Sequence, residues 1–178
     1  VIVQLASFAG IEAHCSGKLS VWNNCIVKVP LCTDLFFSQQ HCNCAVFELH
    51  GHNFSALPTT MKTDMWAMKK MIINHGPLQG LPENIDSMYT YMSHLDLKHN
   101  GITTIPSHIG GLRQLNKLIL SNNVLTSLPG RIWRSPSLFW LELDNNEIVE
   151  LSGEISNAGT LFNLMVSNNS IAELPDEI

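Results

Sequence analysis

The stretch Leu118-x-Leu120-x-x-Asn123-x-Leu125-x-x-Leu128-Pro129 decides the fold, because its frame returns position for position elsewhere in the chain. It recurs as Leu95-x-Leu97-x-x-Asn100-x-Ile102-x-x-Ile105-Pro106, as Leu141-x-Leu143-x-x-Asn146-x-Ile148-x-x-Leu151, and as Leu164-x-Val166-x-x-Asn169-x-Ile171-x-x-Leu174-Pro175. Successive copies stand 23 residues apart. Alternation such as Leu141-Glu142-Leu143 predicts a short strand with two side chains inward and one outward. One strand per copy, stacked in parallel, would let the inward leucines of neighbours build a continuous core. Where each strand ends, backbone N–H and C=O groups leave the sheet and need partners. Asn100, Asn123, Asn146 and Asn169 stand there with short amide side chains able to supply them. Proline after the last apolar position suits a return segment that feeds no ladder.

Upstream, Met71-x-Ile73-x-x-Gly76-x-Leu78-x-x-Leu81-Pro82 and Phe47-x-Leu49-x-x-His52-x-Phe54-x-x-Leu57-Pro58 keep the apolar frame at a spacing of 24. They depart at the asparagine, so the amide ladder is expected to be incomplete, and the chain more mobile, at His52 and Gly76. A weaker copy, Leu19-x-Val21-x-x-Asn24-x-Ile26-x-x-Val29-Pro30, is read as a degenerate seventh repeat within about 16–43. Residues 1–43 are therefore expected to form an irregular cap. An array of six repeats starts at about 44, 68, 92, 115, 138 and 161, the last of them truncated. Segments Thr59–Met68 and Ile85–Met92 are expected to make short helical or irregular turns, with Met61, Met65, Met68, Ile85 and Met88 packed inward.

This frame resembles the leucine-rich-repeat family over about residues 19–178, and the continuations Leu81-Pro82-Glu83-Asn84-Ile85 and Leu128-Pro129-Gly130-Arg131-Ile132 are similar to its common Leu-Pro-x-x-Ile class. The resemblance implies an α/β solenoid, a horseshoe with a parallel concave sheet and an irregular or short-helical convex side. Right-handed connections follow from the crossover rule. The family is one of protein-recognition modules, so a protein or peptide partner is implied.

Five cysteines, Cys15, Cys25, Cys32, Cys42 and Cys44, lie in the first quarter, and none follows. Clustering at one end fits disulfides tying down a cap, which an oxidising compartment would allow. Buried thiols and a metal site are the other readings, and an odd count leaves one thiol over. Cys42-Asn43-Cys44 is similar to the cysteine-bearing amino caps of extracellular family members, although the full four-cysteine pattern is missing. Of two glycosylation triplets, Asn53-Phe54-Ser55 is favoured over Asn168-Asn169-Ser170, because Asn53 lies just past a strand. Val1 opens the chain without a signal-peptide pattern, and Ile178 falls partway through a repeat, so the native chain is expected to continue.

Net charge is −5, which gives no basic stripe for a phosphate backbone, and no apolar run approaches the roughly 20 residues of a membrane span. Nucleic-acid binding and membrane insertion of this segment are not expected. No phosphate-cradling, zinc-protease or nucleophile-elbow motif is present, so neither catalysis nor a cofactor is expected.

Function is expected on the outward positions of the strands. One column runs Val46, Lys70, His94, Lys117, Trp140, Asn163, and the next Glu48, Ile72, Asp96, Ile119, Glu142, Met165. Nearest the asparagine turn run His50, Asn74, Lys98, Ser121, Asp144, Ser167 and then Gly51, His75, His99, Asn122, Asn145, Asn168. Expected partner contacts are His50, Lys70, Ile72, His94, Asp96, Lys98, Lys117, Ile119, Trp140, Glu142, Asp144 and Met165, with Trp140 as the aromatic anchor. Phe139 and Phe162 either join that surface or pack against each other at its edge. The histidines around His75 and His99 are either a solvated patch or a pH-sensitive pair whose protonation weakens binding near pH 6. An extracellular or receptor-ectodomain setting is favoured, the alternative being a cytoplasmic scaffold similar to those of Ras pathways.

Overall fold

In the computed structural model, short strands form at the alternating apolar stretches. The described residues are 2–4, 12–14, 20–22, 25–28, 46–52, 55–57 and 68–176. In chain order the strands are β1 (Ile2–Gln4), β2 (Glu12–His14), β3 (Ser20–Trp22), β4 (Cys25–Lys28), β5 (Val46–His50), β6 (Lys70–Asn74), β7 (His94–Asp96), β8 (Lys117–Ile119), β9 (Trp140–Glu142) and β10 (Asn163–Met165). From β5 to β10 each strand pairs in parallel with the next. Lys70 stands opposite His94, Lys117 opposite Trp140, and Leu118 between Leu95 and Leu141. Equivalent positions of successive copies thus lie side by side.

The amino-terminal end differs from expectation. The predicted seventh copy does not add a parallel strand. β3 and β4 form an antiparallel pair, Val21 opposite Ile26, and β4 runs antiparallel along β5 with Val27 opposite Leu49. β1 and β2 make a separate antiparallel pair. Short runs such as Ser20-Val21-Trp22 satisfy a hairpin as well as a repeat, because both need only a period of two. The hairpin covers the edge of β5, where unpaired backbone groups would otherwise invite a foreign strand.

Inward positions make the core. Leu95, Leu97, Leu118, Leu120, Leu141 and Leu143 are all 0% exposed, as are Ile102, Leu125 and Ile148 on the far wall. Each such side chain contributes about 1.5–3 kcal/mol by leaving water. Leu164 and Val166 of the last repeat pack against this core but remain half-buried.

The Leu-Pro-x-x-Ile continuation has a simple mechanical meaning. In each convex return the isoleucine N–H donates to the carbonyl three residues earlier: Ile85 to Pro82, Ile109 to Pro106, Ile132 to Pro129 and Ile155 to Ser152. These single turns start α1 (Ile85–Met88) and three 3-10 turns, Ser107–Gly111, Gly130–Arg134 and Gly153–Asn157. All four isoleucines are buried against the strands, together with Met68 and Met88. Tyr89 and Trp133, which the sequence pattern did not assign inward, are also buried. Burial pushes the Tyr89 phenol above its ordinary range. Met61 and Met65 lie outside the described residues.

Candidate functional site

The outward face is held in shape by the asparagines at the strand ends. Asn123 Nδ2 donates to Leu97 O at 3.1 Å and to Leu120 O at 2.8 Å, while its Oδ1 accepts from the Ile102 N–H at 3.0 Å. Asn146 repeats this with Leu120 O, Leu143 O and the Leu125 N–H. Asn169 repeats it again with Leu143 O, Val166 O and the Ile148 N–H. Each amide therefore ties its own repeat to the one before, and the ladder satisfies backbone groups that leave the sheet.

At the two departures no asparagine amide stands, as expected, and a contact from His52 spans the interval. His52 is buried, and its Nε2 lies 3.0 Å from Asn100 Oδ1, two repeats away. It crosses the space that Gly76 leaves open, since a Cβ at Gly76 would collide with the His52 ring. The two unusual residues are thus complementary, a large ring over an absent side chain.

A further regularity escaped the sequence reading. The column nearest the turn, His75, His99, Asn122, Asn145 and Asn168, adopts positive φ of 54–59°, and Gly51 has 67°. Asparagine and glycine tolerate this left-handed conformation, and histidine is among the few other residues enriched there. The left-handed residue turns the chain out of the strand and aims its side chain along the rim. Asn168 accordingly donates to Asn145 Oδ1 at 2.9 Å, and the His75 and His99 rings stack with centroids 4.5 Å apart. Partial desolvation, then His99, His50 and Lys98, hold His75 below the usual imidazole value against the pull of Asp96.

Across the middle of the face, side chains are linked into short chains. Lys70 Nζ lies 3.3 Å from Glu48 Oε1. Lys98 Nζ lies 3.9 Å from Asp96 Oδ2, whose other oxygen accepts from the Lys98 N–H. Lys117 Nζ sits 4.4 Å over the Trp140 ring, and the Trp140 indole donates to Glu142 Oε2 at 3.4 Å. Glu142 Oε1 in turn accepts from Ser121 Oγ at 2.9 Å, and Asp144 Oδ1 accepts from the Ser167 N–H at 2.6 Å. His50 Nδ1 hydrogen-bonds Asn74 Oδ1. His94, between Lys70 and Lys117, is held below the usual imidazole value by burial and then by those two cations, with Asp96 opposing.

Ten of the twelve residues expected to meet a partner are partly exposed, but Ile119 and Asp96 are buried, being 7% and 6% exposed. They are opposite each other on adjacent strands at the middle of the sheet. They are the most buried of the twelve. Phe139 and Phe162 stack in parallel, centroids 5.2 Å apart, yet stay 48% and 77% exposed, so packing together does not remove them from the surface. Cys15, Cys32, Cys42, Cys44 and Asn53 lie outside the described residues, and Cys25 is placed only as the start of β4. Among the described residues no group of His, Cys, Asp or Glu is arranged to hold a metal ion, and no helix is long and apolar enough to cross a membrane.

The sequence profile described as "Leucine rich repeat" matches residues 90–148. A search of curated proteins finds no match. Among solved structures, a leucine-rich-repeat protein of Leptospira interrogans is 27% identical at a TM-score of 0.60, over 70% of this chain and 37% of that one. The leucine-rich-repeat domain of the type III effector XopL is 22% identical at a TM-score of 0.65, over 73% of this chain and 46% of that one. Toll, from the Drosophila Toll–Spatzle complex, is 24% identical at a TM-score of 0.62, over 69% of this chain and 18% of that one. The chain thus spans less than half the length of each of these structures. The last two similarities bear on the fold alone. The repeated apolar frame, the asparagine ladder, the parallel sheet and the profile match over residues 90–148 together show that this chain carries leucine-rich repeats and their solenoid fold.

Proposed function

We propose that this chain recognises a protein partner on the outward face of its parallel sheet, acting as a binding module and not as a catalyst. The observation that carries this reading is the row Lys70, His94, Lys117, Trp140, which stands in register across four strands and serves no core. Trp140 is half-buried, braced between Lys117 and Glu142, and joined at the edge by the exposed Phe139 and Phe162. Rigid aromatics within a polar rim are the side chains that most often dominate interface energies. The leucine-rich-repeat fold is typically a binding scaffold, and Toll is seen in complex with Spatzle.

Trp140→Ala and Lys117→Ala, with Glu83→Ala on the convex side as control, test the face by affinity capture and titration of the captured partner. Loss of at least about tenfold in affinity for Trp140→Ala is expected of an anchor, with Glu83→Ala unchanged. Full affinity in both outward variants would move the interface elsewhere.

We further propose an extracellular or cell-surface setting, on the clustering of all five cysteines at one end and the low charged fraction of 14%. A cytoplasmic signalling scaffold is the second reading, favoured by the Leu-Pro-x-x-Ile repeat class. Thiol titration of the native protein with and without reductant separates the two. Disulfides support the first, and five reactive thiols would sink it.

A further inference from the structure

Charge is distributed unevenly along the array. Residues 135–178 hold eight of the chain's fifteen carboxylates and no lysine, arginine or histidine, whereas residues 1–134 hold the other seven together with all ten lysines and arginines. The net charge of −5 thus averages a mildly basic stretch and a strongly acidic one. Among the described residues, Glu154 alone of the acidic stretch is in an ion pair, with Arg134 at 3.2 Å. Glu142, Asp144, Glu147, Glu150, Glu173 and Asp176 have no cation at that range. On the outward face, Lys70 answers Glu48 and Lys98 answers Asp96, which leaves Glu142 and Asp144 as its unneutralised carboxylates. Donors from Ser121, Trp140 and the Ser167 N–H hold these two in place but leave their charge standing. Lys117 lies over the Trp140 ring and is in an ion pair with neither.

An independent feature occupies the same two repeats. Phe139 and Phe162 stack in parallel and stay exposed at the sheet edge, next to Trp140, while Met165 stands opposite Glu142 on β10. Large apolar rings left in water beside a fixed polar rim mark interfaces. Trp140, Glu142 and Asp144 follow one another outward along and just past β9, the two carboxylates roughly 7 Å apart by strand rise. Resting on the concave-face reading above, we propose that the partner presents a basic segment: its Lys or Arg side chains seat on Glu142 and Asp144, and a neighbouring apolar side chain packs on Phe139 and Phe162. The long stems of Lys and Arg suit this layout, since a stem lies along an aromatic ring while its head reaches a carboxylate. Exposed Glu147, Glu150 and Glu173 extend the negative field around the site, which speeds the approach of a cationic chain and repels an acidic one.

The test uses paired synthetic peptide pools of equal length that all carry an apolar residue and differ only in that Lys and Arg of one are Gln in the other. Binding is read by calorimetry and by the Trp140 indole resonance. The basic pool is expected to shift that resonance and to outbind its neutral twin by about five- to tenfold at low salt, the preference shrinking as salt is raised. Glu142→Gln with Asp144→Asn keeps an acceptor oxygen at each position, so the hydrogen bonds hold while most of the preference vanishes. Phe162→Ser, at a ring 77% exposed, should weaken both pools by about threefold or more and leave the preference intact. Glu83→Gln on the convex side should change neither. Equal binding of both pools, an unmoved indole resonance, a preference that survives Glu142→Gln with Asp144→Asn, or indifference to Phe162→Ser overturns the inference. A captured partner that depends on Trp140 yet ignores the paired amide variant overturns it as well, and leaves the concave-face reading standing. That reading falls only if capture ignores both Trp140→Ala and Lys117→Ala.

Discussion

His52 and Gly76 show how two residues that each break the repeat rule can fit one another. Asparagine at a strand end satisfies three backbone groups, and its loss from two consecutive repeats would leave buried carbonyls without donors. Here the imidazole of His52 reaches across the space above Gly76 to Asn100 Oδ1. Gly76→Ala forces the ring aside and is expected to cost about 1–3 kcal/mol in urea unfolding. With His52→Asn present, the same change should become nearly neutral, a coupling of about 1 kcal/mol or more. Additive costs would show that the ring does not occupy that space. The stacked pair His75 and His99 yields a second prediction. His75 titrates below its ordinary 6.5 in the folded chain, so the folded state takes up a proton less readily than the unfolded chain. Its contribution is present above pH 6.5 and is lost as pH falls through the lowered value. Asn is comfortable at the φ of 57° and does not titrate there. His75→Asn should therefore lose less Tm than the parent on acidification, and parallel melting curves at every pH would refute it.

Elements were legible in proportion to how much their pattern had to satisfy. Leu118 and Leu120 could be read as inward because a strand with both neighbours beside it admits no other place for them, and both are fully buried. The left-handed column was written in Asn122, Asn145 and Asn168, but those asparagines adjoin the ladder asparagines, and side-chain chemistry alone does not separate a rim residue from a ladder residue. Ile119 and Asp96 are less exposed than their outward positions suggest, for another reason. Strand alternation says which way a side chain points, not how far its neighbours lean over it. The hairpin β3–β4 was hidden because three or four alternating residues fit either pairing direction. On the convex side, the isoleucine of Leu-Pro-x-x-Ile closes a turn and fills the core at once. Ile132→Ala should cost about 2–4 kcal/mol by urea unfolding, whereas Arg131→Ala, exposed on the same 3-10 turn, should stay within about 0.5 kcal/mol. Similar costs would place the turn's stability in its backbone and not in packing.

At the scale of the molecule, a solenoid distributes stability along a line. Each repeat touches the repeats on either side: β8 is paired with β7 and β9, and Asn123 and Asn146 each reach one repeat back. Nothing in this arrangement brings β5 against β9, unlike a globular core in which distant segments share contacts. Stability is then close to a sum of repeat terms and nearest-neighbour terms, and damage should stay local. Leu141 is 0% exposed between Leu118 and Leu164, so Leu141→Ala opens a cavity costing about 2–5 kcal/mol. Native-state hydrogen exchange reads where that loss goes. Protection should fall most in β8, β9 and β10, at amides such as Leu120 and Leu143 that donate across repeats, and least in β5 and β6. An equal fall in all six parallel strands would mean that the array opens as one unit, and that the row from Lys70 to Trp140 is held rigid by the whole sheet. A graded fall would mean that its Trp140 end can be softened while its Lys70 end keeps its shape, so Leu141→Ala would then weaken a partner anchored on Trp140 without any change to the residues that touch it.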